Sequence, residues 1–223
     1  MWPWSEIRLL KDTLRLYAGE HVLSRVVASR ERALDLSGEV RELTLMFVDI
    51  ASLSSTEGLA PGQLSNFMAE YLEIVTANIK AHEGTLDSYN GDAIFAWWDS
   101  GDSRVNARNA CNCAKQVVTR IKSQNAVWST QSLPALQLKI GINSGAALLG
   151  NYGTASRIRF TALGSHVNLA SQLCELAGSV YAVPVVISGN TNALLPSNIA
   201  AKPLVSNDVK GIGMAGSIQL FAI

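Results

Sequence analysis

The pair Asn90-Gly91 lies between two apolar runs and constrains this chain more tightly than any other local signal. Asn-Gly accepts the positive φ angles of a tight turn, so residues 85–98 are expected to fold as a β-hairpin. That places Asp92 at the hairpin tip. A second strand is expected at 43–50, Leu43-Thr44-Leu45-Met46-Phe47-Val48-Asp49-Ile50, and it ends on another acid, Asp49. Two hard carboxylates from separate strands, once brought together, can hold Mg²⁺ against a polyphosphate. Alone, each is an ordinary strand-end or turn aspartate.

The remaining punctuation outlines one mixed domain behind a helical lead-in, divided at 1–40 and 41–223. Apolar residues near helical spacing over 6–30 predict one or two amphipathic helices, and 34–40 reads as a linker. These helices either pack on the domain's own core or couple it to an upstream element. Pro61 opens a helix that runs to about Ala81 and stops at His82-Glu83-Gly84. A second long helix is expected at 105–123, and a strand pair at 136–143 and 146–149 around Ser144-Gly145. A strand at 157–163, a helix at 167–176, a strand at 183–188 and a closing strand at 218–223 complete the pattern. Hairpins mixed with helices argue for an α+β fold rather than a doubly wound sheet.

Bulk properties exclude several classes. A length of 223 residues and an apolar fraction of 48% suit one globular domain with a good core. Formal net charge is zero, with no basic block for nucleic acid and no polybasic stripe for an anionic membrane. No apolar stretch reaches spanning length. Met1-Trp2-Pro3-Trp4-Ser5 lacks the features of a signal peptide and reads as the start of a fragment. Cys111, Cys113 and Cys174 cannot all pair, and buried free thiols in a reducing cytoplasm are expected. Gly211-Ile212-Gly213-Met214-Ala215-Gly216 fits G-x-G-x-x-G but precedes a strand pattern, so dinucleotide binding is rejected. Ser144 sits in Asn-Ser-Gly rather than a nucleophile elbow. His166 reads as structural.

Five segments then occur in a telling order. They are Arg41-Glu42-Leu43-Thr44 through Phe47-Val48-Asp49-Ile50, then Gly91-Asp92-Ala93-Ile94-Phe95-Ala96, then Lys139-Ile140-Gly141-Ile142-Asn143-Ser144-Gly145 with Gly150-Asn151-Tyr152-Gly153, then Leu163-Gly164-Ser165-His166-Val167-Asn168-Leu169-Ala170-Ser171-Gln172-Leu173, and last Val209-Lys210-Gly211. From about Glu39 to the C-terminus the chain resembles the class III nucleotidyl cyclase family.

The resemblance implies a ferredoxin-like α+β domain, with a mostly antiparallel sheet flanked by helices, that pairs head to tail as a homodimer. It implies a lyase that turns a nucleoside triphosphate, ATP as first choice, into a 3′,5′-cyclic nucleotide and pyrophosphate. Asp49, Asp92 and the backbone of Ile50 resemble the ligands of two Mg²⁺ or Mn²⁺ ions per site. Asn168 of the partner resembles the ribose-orienting Asn, and Lys210 the residue that holds the terminal phosphates. Without the family, Asn168 reads as a helix cap and Lys210 as a solvated turn residue.

Six positions depart from the family pattern. Ser88 replaces the adenine-reading Lys and pairs with Thr161 as base reader; it is not the acidic residue of guanine-type members either. Gln172 replaces an Arg that stabilises charge on the α-phosphate. Ser52-Leu53-Ser54 replaces Gly-Phe-Thr at the phosphate loop, and Ser165 replaces an Asp. These departures keep a pyrimidine cyclase and a degenerate nucleotide-binding or dimerisation module open beside the adenylate cyclase. Residues 96–100 and 178–187 most resemble bacterial cyclases behind a membrane sensor, which implies an upstream sensor partner and a cytoplasmic position.

Overall fold

A computed structural model describes residues 3–29, 34–51, 58–204 and 218–223. In chain order the elements are α1 (Trp4–Ala18), α2 (Glu20–Ser29), β1 (Gly38–Ile50), α3 (Pro61–Ala81), β2 (Thr85–Asn90), β3 (Ala93–Trp98), α4 (Ser103–Thr130), β4 (Leu138–Thr154), β5 (Arg157–Leu163), α5 (Ser165–Ser179), β6 (Val185–Ser188), α6 (Gly189–Leu194), β7 (Lys202–Pro203) and β8 (Leu220–Ala222). They fall into two compact units, Met1–Val40 with Leu148–Ala162, and Arg41–Ala147 with Leu163–Ile223.

The larger unit is built on a mixed sheet of order β2-β3-β1-β4-β6-β8-β7. In it β4–β6 is parallel, and β1–β3, β2–β3, β6–β8 and β7–β8 are antiparallel. Strand alternation divides the side chains between two faces. Met46, Val48 and Ile50 of β1, Ile140 and Ile142 of β4, and Val185 and Ile187 of β6 join one core with α3 and α4. Val186 and Leu220 face the other way, against Leu169, Leu173 and Ala177 of α5.

Local sequence explains the helices. Pro61 stands first in α3, where its missing N–H costs nothing, and Phe67, Tyr71, Val75 and Ile79 at four-residue spacing form its buried stripe. Gly84 ends the α3 turn because the Trp98 ring fills the space a Cβ would take, and Trp98 Nε1 donates to the His82 carbonyl at 2.7 Å. Asp102 caps α4, accepting from the N–H groups of Arg104 and Val105. The helix runs to Thr130, beyond the expected end at 123. Polar Ser123-Gln124-Asn125 breaks the apolar period, yet Trp128 is fully buried edge-on to Phe67 and its indole donates to Glu70 at 2.8 Å.

Three strand expectations need correction. The pair expected around Ser144-Gly145 is one continuous strand, β4. Gly145 makes no turn; the His166 ring occupies the place of its Cβ. Residues 38–40, read as linker, already belong to β1. The strand at the C-terminus does not close the sheet, because β7 lies outside β8, with Pro203 on that edge strand where it blocks no ladder. The hairpin forms with Asp92 at its tip, but the turn falls one residue later than Asn-Gly implies: Asn90 ends β2 and pairs with Ala93 across Gly91-Asp92, and of Asn90 and Gly91 only Gly91 takes a positive φ, +66°. Cys111, Cys113 and Cys174 are buried free thiols, each pushed up to about 12 chiefly by burial.

In the smaller unit, the outer half of β4 pairs with β5. Phe160 of β5 lies beneath the Arg25 guanidinium at 4.8 Å and beside the His21 ring of α2. No residue of α1 is fully buried, and Trp4, Leu16 and Tyr17 are strongly exposed. No described helix is long and apolar enough to cross a membrane.

The contact that sets the position of α5 is at Gly141. A Cβ there would overlap the Ala170 carbonyl oxygen and the Cys174 backbone nitrogen, so α5 rests on β4 backbone to backbone. Gly141→Ala is therefore expected to cost about 1–3 kcal/mol, roughly 2–4 °C of Tm for each kcal/mol. Gly62→Ala, where a Cβ meets open space, should be neutral or slightly stabilising. Thermal unfolding of the two variants checks this.

Candidate active site

β1 and β3 are paired with Val48 opposite Ile94, so the end of β1 and the hairpin turn meet. Asp49 is the penultimate residue of β1, on the face away from α3 and α4, and Asp92 is the second residue of the turn. Their carboxyl groups lie within hydrogen-bonding reach of each other. Burial, then the hydrogen bond and charge of Asp49, hold the Asp92 carboxyl above the usual carboxylate range, opposed in part by the Ile50 N–H. That same N–H donates to Asp49 Oδ1 at 2.9 Å. Tyr71 reaches up from α3 to fix the turn, its hydroxyl donating to the Asp92 carbonyl at 3.0 Å. Burial, then the charges of Asp49 and Asp92, raise the Tyr71 phenol well above its ordinary value, so it stays a donor.

A cation answers the pair. Lys139 Nζ lies 3.0 Å from Asp49 Oδ2, and 3.1 Å from each carboxylate oxygen of Glu175 on α5. Burial lowers the Lys139 pKa, but its bonds to Asp49 and Glu175 outweigh that and raise it, so the ammonium stays charged. The sequence reading gave neither Lys139 nor Glu175 a role. A signal existed for both. Lys139 breaks the apolar pattern of β4 on the side of Gly141, and Glu175 shares a helical stripe with Asn168 and Gln172.

The other expected residues divide by location. Ser88 stands opposite Phe95, and Phe95 opposite Phe47, so the three share a face of the sheet with Asp49. The two phenyl rings stack at 4.5 Å. A bulge at Asp87 sets this register; without it Ser88 would point to the other face. Thr161 belongs to the smaller unit, where it is buried in β5. Asn168 is exposed in the first turn of α5 and is not its cap, which is Gly164. Gln172, one turn on, is half-buried. His166 fills the space beside Gly145, and the Asn143 amide donates to its carbonyl at 2.9 Å. Ser52, Leu53, Ser54 and Lys210 lie outside the described residues.

The donor set suits a hard divalent cation. Two part-buried carboxyl groups brought together are hard oxygen ligands of the kind a divalent cation takes. No group of three metal-ligating side chains occurs among the described residues.

Comparison with known proteins gives the family. The profile described as "Adenylate and Guanylate cyclase catalytic domain" matches residues 36–223. Adenylate cyclase 1 of Rhizobium meliloti (strain 1021) is 33% identical over 174 residues, which is 77% of this chain and 26% of that protein. The adenylate cyclase of Anabaena cylindrica is 27% identical over 191 residues, 84% of this chain and 38% of that protein. The chain thus spans well under half the length of these curated relatives. Among solved structures, the adenylyl cyclase CyaB from P. aeruginosa superposes with a TM-score of 0.74 at 25% identity, covering 84% of this chain and 95% of that one. With its mostly antiparallel sheet, flanking helices and paired strand-end aspartates, the chain belongs to the adenylate and guanylate cyclase catalytic domain family.

Proposed function

We propose that the chain forms a homodimer that cyclises a nucleoside triphosphate, ATP first, to a 3′,5′-cyclic nucleotide and pyrophosphate. The observation that carries this reading is the Asp49–Asp92 carboxyl pair, with its raised Asp92 pKa and shared Ile50 N–H. Asp49, Asp92 and the Ile50 carbonyl hold two Mg²⁺ or Mn²⁺ ions. Bound there, such ions neutralise the triphosphate and acidify the ribose 3′-hydroxyl. The Phe47–Phe95 face with Ser88 receives the base. The loop at 52–54 and Lys210 hold phosphates. Asn168 of the partner subunit orients the ribose so that its 3′-oxygen stands in line with the α-phosphorus. The partner's Gln172 donates hydrogen bonds to oxygens that gain charge in the transition state, though an amide adds no charge of its own. The geometry of α5 supports sharing between chains. Glu175 meets Lys139 beside Asp49, while Asn168 lies two turns, about 10 Å, farther along the helix on an exposed surface. The similarity of 96–100 and 178–187 to sensor-linked bacterial cyclases and the exposed apolar α1 support an upstream sensor partner and a cytoplasmic position.

Two residues favour a second reading of the substrate. Ser88 and Gln172 lack the cations of an adenine reader and a transition-state donor, which fits loose base choice, pyrimidines included, or low turnover. A domain that binds nucleotide without cyclising it is the outcome if no cyclic product forms.

Two experiments follow. Asp92→Asn removes the carboxylate repulsion, since a raised carboxylate pKa means stability lost as pH rises from the ordinary Asp range through the raised value. At neutral pH the metal-free variant should melt higher than wild type, by roughly 2–4 °C per kcal/mol relieved. Mn²⁺-dependent nucleotide binding should disappear. An unchanged or lower Tm together with retained metal-dependent binding counts against the paired-carboxylate site. In the second experiment, purified protein with Mg²⁺ or Mn²⁺ is scored for cyclic product from each of the four triphosphates. Discrimination among bases should be weak. Gln172→Arg should raise turnover at least about tenfold with little change in apparent affinity, because its charge acts in the transition state. A sharp preference for ATP would show that some residue other than Ser88 reads the base.

A further inference from the structure

Lys139 is placed with more care than a surface cation. It extends from β4 between Leu138 and Ile140, whose side chains enter the core on the opposite face. Its stem passes Gly178, where a Cβ would come within 3.2 Å of the Lys139 Cδ. Its ammonium has three donors and three acceptor oxygens at 3.0–3.1 Å: Asp49 Oδ2, Glu175 Oε1 and Glu175 Oε2. The Lys139 and Asp49 side chains are 14% and 18% exposed, so this contact is shielded from water, whereas Glu175 is 65% exposed. Gly141 makes the arrangement possible, because only its missing side chain lets α5 bring Glu175 over Lys139.

We propose that Lys139 is the resting counter-ion of Asp49, held there by Glu175, and that it excludes a bare divalent ion until a polyphosphate arrives. This rests on the reading of Asp49 and Asp92 as metal ligands. In the resting state Asp49 is paired with the ammonium, whereas Asp92 is held by Asp49 and backbone N–H groups, with no cation of its own among the described residues. A divalent ion arriving alone must expel the ammonium, leaving it only the exposed Glu175. An ion arriving with a triphosphate brings new acceptor oxygens within reach of the same Nζ, so the lysine exchanges one anion for another. Metal and polyphosphate loading thereby become coupled and reciprocal. Lys139 and Glu175 act as positioning residues that keep Asp49 neutralised between turnovers.

The test is calorimetric titration of Mn²⁺ alone, without nucleotide, into the full chain and its variants. If the ammonium occupies Asp49 about nine-tenths of the time, Lys139→Met should bind Mn²⁺ about tenfold tighter than wild type. Lys139→Arg, which keeps the charge, should stay within about threefold of wild type. Glu175→Gln should weaken Mn²⁺ binding in the wild-type background, because the expelled ammonium then has no second anion to move to, but not in the Lys139→Met background. The same weakening in both backgrounds would mean a negative charge acting only through space and overturns the role given to Glu175. Lys139→Met binding Mn²⁺ no tighter than wild type overturns the proposal as a whole. The gain must vanish when Asp49→Asn is added to Lys139→Met; if it persists, the ion sits elsewhere and the proposal fails. Lys139→Gln replaces the Met variant if the latter does not fold. Asp49→Asn alone, titrated with Mn²⁺ in the presence of nucleotide, separates the two layers. Undiminished binding there defeats the metal-site reading itself, whatever Lys139 does.

Discussion

Two carboxyl groups held within hydrogen-bonding reach of each other are what the rest of this site is arranged around. Left in water they would separate. Here the β1–β3 pairing and the Tyr71 bond to the turn hold their backbones side by side. Three groups offset the repulsion unequally. The Ile50 N–H serves both carboxyls, Lys139 serves Asp49, and the Asp92 carboxyl holds its proton more tightly than an ordinary aspartate. On the proposed reading, strain of this kind would be relieved when a divalent cation binds.

The second requirement is that α5 lie against β4 without side chains between them. Gly141 supplies this, and several consequences follow along the helix. Cys174 donates its thiol to the Lys139 carbonyl, Glu175 reaches the Lys139 ammonium, and the His166 ring takes the place of a Gly145 side chain. The helix start, from which Asn168 projects, is thereby tied to the strand that carries Lys139. A single glycine sets the geometry of both ends of α5.

How much of this could be read beforehand depended on the kind of signal. Turn chemistry was explicit: Asn90-Gly91 marked the hairpin and Pro61 the start of α3. Order of motifs carried the family. Glycines that exist for close approach were misread where they resembled turn formers, as at Gly145, because spacing alone does not show which side chain fills the vacant place. The end of α4 was missed because Trp128 is held by a tertiary contact with Phe67 and Glu70, not by local periodicity. Lys139 and Glu175 were overlooked for a related reason. Their meaning lies in a meeting of residues 36 positions apart, which only the packing of α5 on β4 brings about. Ser88 reads as a departure from the family pattern, but the direction of its side chain depends on the bulge at Asp87, which no local pattern announces.

The central claim is a nucleotide site whose metal-binding aspartates and ribose-orienting asparagine come from different chains. Mixing tests it directly. Asp49→Ala and Asn168→Ala should each be inactive alone in forming cyclic nucleotide with Mn²⁺. Co-assembled in equal amounts, they should recover about a quarter of the wild-type rate, since half of randomly formed two-fold pairs are mixed and each mixed pair has one intact site. Activity that stays absent in the mixture, with mixed dimers shown to form and wild type active, would contradict the account and place both residues in a site within one chain.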